Sequence, residues 1–196
     1  LDKIDRIAIL SSAEIIDNRN YENFIDKGFS TSITLCCEKK YIEIIQKQLK
    51  ELQFEELLFL KHIRDIEIHS DTINRHIESV RDGEKFLIQE NEKCTDWLVW
   101  EKSGFIKQPN GKDKKYELII AYNKDPAIRE FIRTKGVLYS FFKTDIPMPF
   151  PFLIHGTFDL TSERNGLIKD NDNNKILIEY LIDFIIEKGK TIASND

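Results

Sequence analysis

The sequence predicts an α+β fold, with one mixed, mostly antiparallel sheet, helices on one face and a C-terminal β-α-β crossover. Three observations carry this. Residues 63–122 alternate apolar and polar side chains between turn signals, the pattern of an antiparallel meander. Lys39 to Leu52 and Asn173 to Lys188 are helical in their spacing and apolar content. Val137–Phe142 and Phe152–Phe158 are apolar on both faces, as the central strands of a sheet are.

Taken in order, the chain opens with a strand at Ile4–Leu10, then an irregular stretch rich in Asn and Asp, then a second strand at Ser32–Cys37 after Gly28. In the helix from Lys39, residues Tyr41, Ile42, Ile45, Leu49 and Leu52 recur at three- and four-residue steps and predict one buried face. Phe54–Leu60 reads as a shorter apolar helix. Ile66 and Ile68 alternate with charge, Ser70 and Asp71 turn the chain into Thr72–Val80, and Asp82-Gly83 is a hairpin signal leading to Glu84–Gln89. Thr95–Glu101 holds Trp97, Leu98, Val99 and Trp100 and belongs in the middle of the sheet. A loop with Pro109, Asn110 and Gly111 separates it from Tyr116–Tyr122.

Gly136 opens the strand Val137–Phe142. Pro147, Pro149 and Pro151 then alternate with Met148, Phe150 and Phe152, which keeps the chain extended with the apolar residues on a common side. The flanking aromatics call for burial, so this run reads as a stiff connector inside the fold before it reads as a proline-rich ligand. The last helix has capping residues in Asp170, Asn171 and Asp172 and a stop in Gly189. Its polar positions are few, chiefly Lys175, Glu179, Asp183 and Glu187, so it needs cover on most of its surface.

Composition limits the functional classes. A chain of 196 residues, 41% hydrophobic and 32% charged, is long enough to bury a core. Its net charge of -5, with basic residues scattered among acidic ones, argues against nucleic-acid binding through a basic field. No apolar run approaches the about 18 residues of a membrane span. Cys36 and Cys37 are neighbours on a predicted strand and point to opposite faces, and Cys94 stands alone, so free thiols and a cytoplasmic setting are expected. With one methionine, Met148, and Leu at position 1, the chain reads as a piece of a longer protein.

Most catalytic motifs are missing. There is neither a Gly-rich phosphate loop nor a nucleophile elbow. His69, Asp71 and His76 invite a metal reading, but their spacing matches no standard ligand set. His155 lies within an apolar strand, where a core histidine bonded to the backbone is the default. What remains is the turn Ser162, Glu163, Arg164 and Asn165 after the strand ending at Phe158. An arginine held there suits phosphate, because the guanidinium is always charged and matches phosphate geometry. Taken alone it is also what an ordinary solvated loop looks like.

Two stretches together resemble the GHKL superfamily of ATPases. Gly28 to Leu60, with Ser30, Thr31, Ser32 and Ile33 opening a strand, resembles the exit from the ATPase domain. Leu138 to Leu167 is similar to the middle, or transducer, domain of the chaperone-like, sacsin-like branch. There the matching residues are Phe142, Lys143 and Thr144, then Phe150 to Phe158, then Leu160, Ser162 and Arg164.

The resemblance implies that residues 1–37 are the tail of an ATPase domain and 38–196 a middle domain. It implies that Arg164 reaches the γ-phosphate of ATP as a catalytic and nucleotide-contacting residue, with Lys143 and Thr31 as further contacts. ATP and Mg would be held by an ATPase domain N-terminal to this chain, which alone would be inactive. The partners implied are that domain, a second copy of the full-length protein and an unidentified client, with no membrane. The last β-α-β unit would be the left-handed crossover of GHKL transducers, an exception to the right-handed rule. Gly28 is separated from Thr31 by two residues, and the magnesium-holding Asn and the adenine motif of the superfamily are not in this sequence.

Other readings of the residues are an interaction module unrelated to nucleotide, resting on the proline run and the apolar last helix, and a hydrolase built on His69, Asp71, His76 and His155.

Overall fold

The computed structural model describes residues 38–51, 54–70, 72–108 and 111–193. The strands expected at Ile4–Leu10 and Ser32–Cys37 lie outside them, as do Cys36, Cys37 and Thr31. The chain divides into two compact units, Leu1–Ile44 and Ile45–Asp196. The second unit holds the sheet.

The fold is α+β, with a mixed and mostly antiparallel sheet of eight strands. Helix α1 (Lys39–Glu51) and a 3-10 turn (Glu55–Leu58) come first. The meander follows as β1 (Asp65–Ser70), β2 (Ile73–Asp82), β3 (Lys85–Glu90), β4 (Lys93–Ile106) and β5 (Lys114–Asn123). Helix α2 (Pro126–Lys135) leads to β6 (Val137–Ser140), β7 (Phe142–Pro147), β8 (Leu153–Gly156) and helix α3 (Asp172–Ala193). The strand order is β1-β2-β3-β4-β5-β8-β6-β7. Among the described residues only the β6–β8 pair is parallel, and the chain joins it through β7 and the proline run, with α3 following β8.

Alternation along the strands builds two cores. On one face Trp97, Val99, Ile119, Ala121, Tyr139 and Leu153 pack with Leu57, Leu58 and Phe59 of the 3-10 segment and Ile132 of α2. On the other, Trp100, Leu118, Ile120, Leu138 and Ile154 pack with Leu177, Leu181 and Phe184 of α3. The sequence places helices on one face. The long α3 takes that face, while α2 and the 3-10 turn close the other, because β4, β5, β6 and β8 are apolar on both sides.

Local chemistry explains most elements, and departures have local causes. Asp82-Gly83 turns β2 into β3 with Gly83 at φ 59°. Helix α2, which the sequence reading passes over, starts on Asp125, whose carboxylate accepts the Ala127 N–H at 2.8 Å, with Pro126 in its first turn. The expected strand Val137–Phe142 breaks at Phe141, which adopts φ 65° and reverses the chain into β7. Gly189 does not stop the last helix, which runs on to Ala193. A glycine costs an exposed helix only about 1 kcal/mol. In α1, among the described residues of the expected seam, Leu49 packs against the core, while Tyr41, Ile42 and Ile45 are exposed; Leu52 lies outside the described residues. What holds its last turn is Arg75, whose Nη1 donates to the carbonyls of Leu49 and Lys50 at 2.8 and 3.0 Å.

Met148, Phe150 and Phe152 of the proline run all turn toward the α3 core, and the last two stack at 5.3 Å. The run is a connector packed within the fold, which removes it as an exposed ligand.

Candidate functional site

The turn carrying Arg164 is braced on both sides. At its base Leu160 and Leu167 pair as an antiparallel bridge, and the Thr161 N–H donates to the Gly166 carbonyl at 2.9 Å. Thr161 Oγ1 also donates to Asn165 Oδ1 at 2.9 Å. Beneath it lies a knot of amides at the start of α3. Asn174 is buried, accepts the Asp159 N–H at 2.8 Å and donates back to the Asp159 carbonyl at 2.8 Å. Its own N–H is capped by Asn171 Oδ1 at 2.9 Å. The Asp159 carboxylate accepts from Lys114 at 2.5 Å, Asn171 at 3.1 Å and Asn173 at 3.3 Å. Burial raises its proton affinity, but these bonds outweigh that and hold the carboxyl below its ordinary value.

Arg164 itself sits at φ 58°, a left-handed conformation that is uncommon for a residue other than glycine, asparagine or aspartate. The side chain is exposed, and its Nη2 donates to the Ser140 carbonyl at 2.5 Å. No carboxylate among the described residues forms an ion pair with it. One donor of the guanidinium fork is thus anchored, and an anion can meet the rest.

Ser140 is the last residue of β6 and pairs with Phe142 across the hairpin, while Lys143 pairs with Tyr139. The fold therefore brings Arg164 and Lys143, 21 positions apart by number, to one hairpin. Thr31, the third residue expected here, lies outside the described residues. Lys143 is exposed and shares the Tyr139 side of the sheet with Glu56. Burial raises the Glu56 carboxyl, with Lys143 pulling it the other way. Burial likewise raises the Tyr139 phenol, with Glu55 and Glu56 adding to the effect.

Phe141, at the tip between Ser140 and Phe142, places its ring against His155 with centroids 5.0 Å apart. Phe59 meets the same imidazole at 5.3 Å, edge to face. His155 is fully buried, and neither ring nitrogen has a hydrogen-bond partner among the described residues. This corrects the expectation of a histidine bonded to backbone: β8 spends its backbone groups on β5 and β6, and the neighbours of the ring are aromatic. Burial, helped by Lys61, lowers its pKa to about 4, so the ring is neutral at pH 7.

The other histidines go elsewhere. His69 bonds Asn74 and Glu67, at 2.8 and 2.9 Å, and His76 bonds Asp65 at 3.2 Å. Asp71 lies outside the described residues. Among the described residues, the group with ligand atoms close enough for an ion is Asp65, Glu67 and His76, all exposed. His69 on β1 and His155 on β8 are five strand positions apart, roughly 24 Å at about 4.8 Å each. That separation ends the reading of a shared hydrolase centre.

Two grooves open on the meander. The larger, about 490 Å³, is lined by Phe54, Arg75, Ile88, Trp97, Ile128 and Phe131 among others, and the smaller, about 310 Å³, by Val80, Leu87 and Trp97 among others. Arg164 and Lys143 line neither. No helix among the described residues is long and apolar enough to cross a membrane. Compared with known proteins, the chain matches no family model, no curated protein and no solved structure.

Proposed function

We propose that this chain is the coupling domain of a chaperone-like ATP-binding protein, in which Arg164 contacts the γ-phosphate of ATP held by an ATPase domain N-terminal to it. The single observation behind this reading is the state of Arg164. Its backbone is held in a strained turn, its side chain is anchored through one donor to Ser140, and no acid among the described residues neutralises it. Such a group is pre-organised for an anion supplied from outside this domain. Lys143 on the same hairpin adds a second positive charge. Thr31 is a further contact by the resemblance alone.

ATP and Mg supply the phosphoryl chemistry when bound, and both belong to the ATPase domain. The role of this chain is positional. A charge-assisted bond from Arg164 to a terminal phosphate ties the two domains, and loss of that phosphate releases the tie. The guanidinium also stabilises charge that develops during transfer, as arginine fingers do.

The test is ATP turnover by the full-length protein, wild type against Arg164→Ala, with nucleotide affinity measured separately. Turnover is expected to fall about a hundredfold or more while affinity is largely kept. Unchanged turnover removes the proposal. The alternative, an interaction module unrelated to nucleotide, is favoured by one observation, the exposed isoleucines Ile178, Ile182 and Ile186 on α3.

A further inference from the structure

Helix α3 shows three distinct sides. Asn174, Leu177, Leu181 and Phe184 are buried against the sheet. At about 100° per residue, Ile178, Ile182 and Ile186 fall on the neighbouring side, and they are 39%, 50% and 55% exposed. Beyond that stripe Glu179, Asp183 and Glu187 repeat the four-residue step, all exposed, with Lys175, paired to Asp172 at 3.2 Å, opening their row and Lys190 closing the isoleucine row.

Isolated surface isoleucines need no explanation, but three in register form the kind of seam that receives the apolar side of another helix. Charge decides which helix. Glu179 and Asp183 form no ion pair among the described residues, and Glu187 has only its neighbour Lys188, at 3.0 Å. A second copy of this chain fits badly. A two-fold antiparallel pairing centred on Ile182 sets Glu179 of each copy beside Asp183 of the other at the middle of the seam. The Lys175–Glu187 contacts at its ends only offset that repulsion, whereas a basic helix meets the acids without it. An anionic lipid surface meets the same repulsion.

We propose that Ile178, Ile182 and Ile186 form the docking seam for a basic amphipathic helix of a partner protein, with its lysines or arginines over Glu179, Asp183 and Glu187. The inference does not depend on nucleotide. It assigns to α3 the cover that its apolar surface calls for.

The test uses the full 196-residue chain and two synthetic helices, one of leucine and lysine and one of leucine and glutamate in the same pattern. Binding is followed by fluorescence anisotropy. The lysine helix should bind wild type saturably, and the glutamate helix should not. Ile178→Ser/Ile182→Ser should weaken the lysine helix about tenfold or more. Glu179→Lys/Asp183→Lys should exchange the preference, so that the glutamate helix binds better. All four positions are exposed, and circular dichroism should show both variants folded.

Equal binding of the lysine helix to wild type and both variants overturns the proposal, as does absence of saturable binding. Sedimentation showing a wild-type dimer that the serine variant dissociates also overturns it, in favour of a second copy.

Discussion

The two faces of the sheet treat buried polar groups in opposite ways. Under α3, Asn174 and Asp159 are joined to Asn171, Asn173, Lys114 and Ile168 until their bonding capacity is nearly used. Under the 3-10 turn, His155 has no partner at either nitrogen among the described residues, and one carboxylate oxygen each of Glu55 and Glu56 is buried without a bond among them. Buried polar groups are mostly paired, so the first face is ordinary and the second calls for an explanation. The comparison teaches where this protein spends order. The saturated knot fixes the base of the Arg164 turn. The unsatisfied ring lies under Phe141, next to the residue that Arg164 holds.

The sharpest way to break the comparison is to unsatisfy the saturated face. Asn174→Leu strands the N–H of Asp159 and leaves its carbonyl with the Ile168 N–H alone, while the backbone N–H that Asn171 caps is kept. Chemical denaturation should show a loss of about 3 kcal/mol, the upper end for one stranded buried group. A loss below about 1 kcal/mol would mean that water replaces the amide and that the knot does not brace the turn.

Acidification tests the other face. An unfolded histidine titrates near pH 6.5, and His155 in the fold does so at about 4. Between these values the unfolded chain binds the extra proton. The stability associated with the neutral ring is therefore complete above about pH 6.5 and falls as the pH drops toward 4, by about 3 kcal/mol in all. His76 runs the other way, since its bond to Asp65 raises its pKa and that contribution fades as pH rises. Denaturation midpoints measured from pH 7 to 4 should show the fall in wild type and a flatter profile in His155→Leu. Parallel profiles would show that His155 is not the group responsible.

Neighbouring positions on β8 give a smaller and cleaner contrast, because residues 155 and 156 point to opposite faces. A Cβ on Gly156 would lie 2.3 Å from the Phe158 ring, so Gly156→Ala should cost about 2 kcal/mol. His155→Leu removes a buried unsatisfied group at similar volume and should be neutral, or stabilising by about 1 kcal/mol, at pH 7. A large loss in His155→Leu would reveal a hydrogen bond to His155 in solution.

These contrasts also mark what a linear reading reaches. The meander was legible because its information is local, in alternation and in Asp82-Gly83. The α3 cap was legible in Asp170, Asn171 and Asp172 for the same reason. Helix α2 was within reach through Asp125-Pro126, but its few apolar residues make a weak periodic signal. The reversal at Phe141 was not legible, since it places a phenylalanine in a conformation that glycine or asparagine normally takes. Arg164 stood out as a turn arginine and Lys143 as its companion, yet their meeting at one hairpin depends on Ser140, 24 residues from Arg164. The isolation of His155 is likewise made by Phe59 and Phe141, from separate parts of the chain.

The smallest expected effect bears most directly on why Arg164 is there. At φ 58° a non-glycine residue is strained, by of order 1 kcal/mol, and the bond to Ser140 contributes a similar amount in return. Arg164→Ala keeps the strain and loses the bond, so it should destabilise by about 1 kcal/mol. Arg164→Gly loses both and should lie within about 0.5 kcal/mol of wild type. If the pair behaves so, arginine adds almost nothing to stability that glycine would not supply, and the side chain is placed for what it binds. If Arg164→Gly instead falls well below Arg164→Ala, the guanidinium is not offset by strain and the turn needs a side chain at this position. Arg164 would then be a structural residue, and the case for an external anion would weaken.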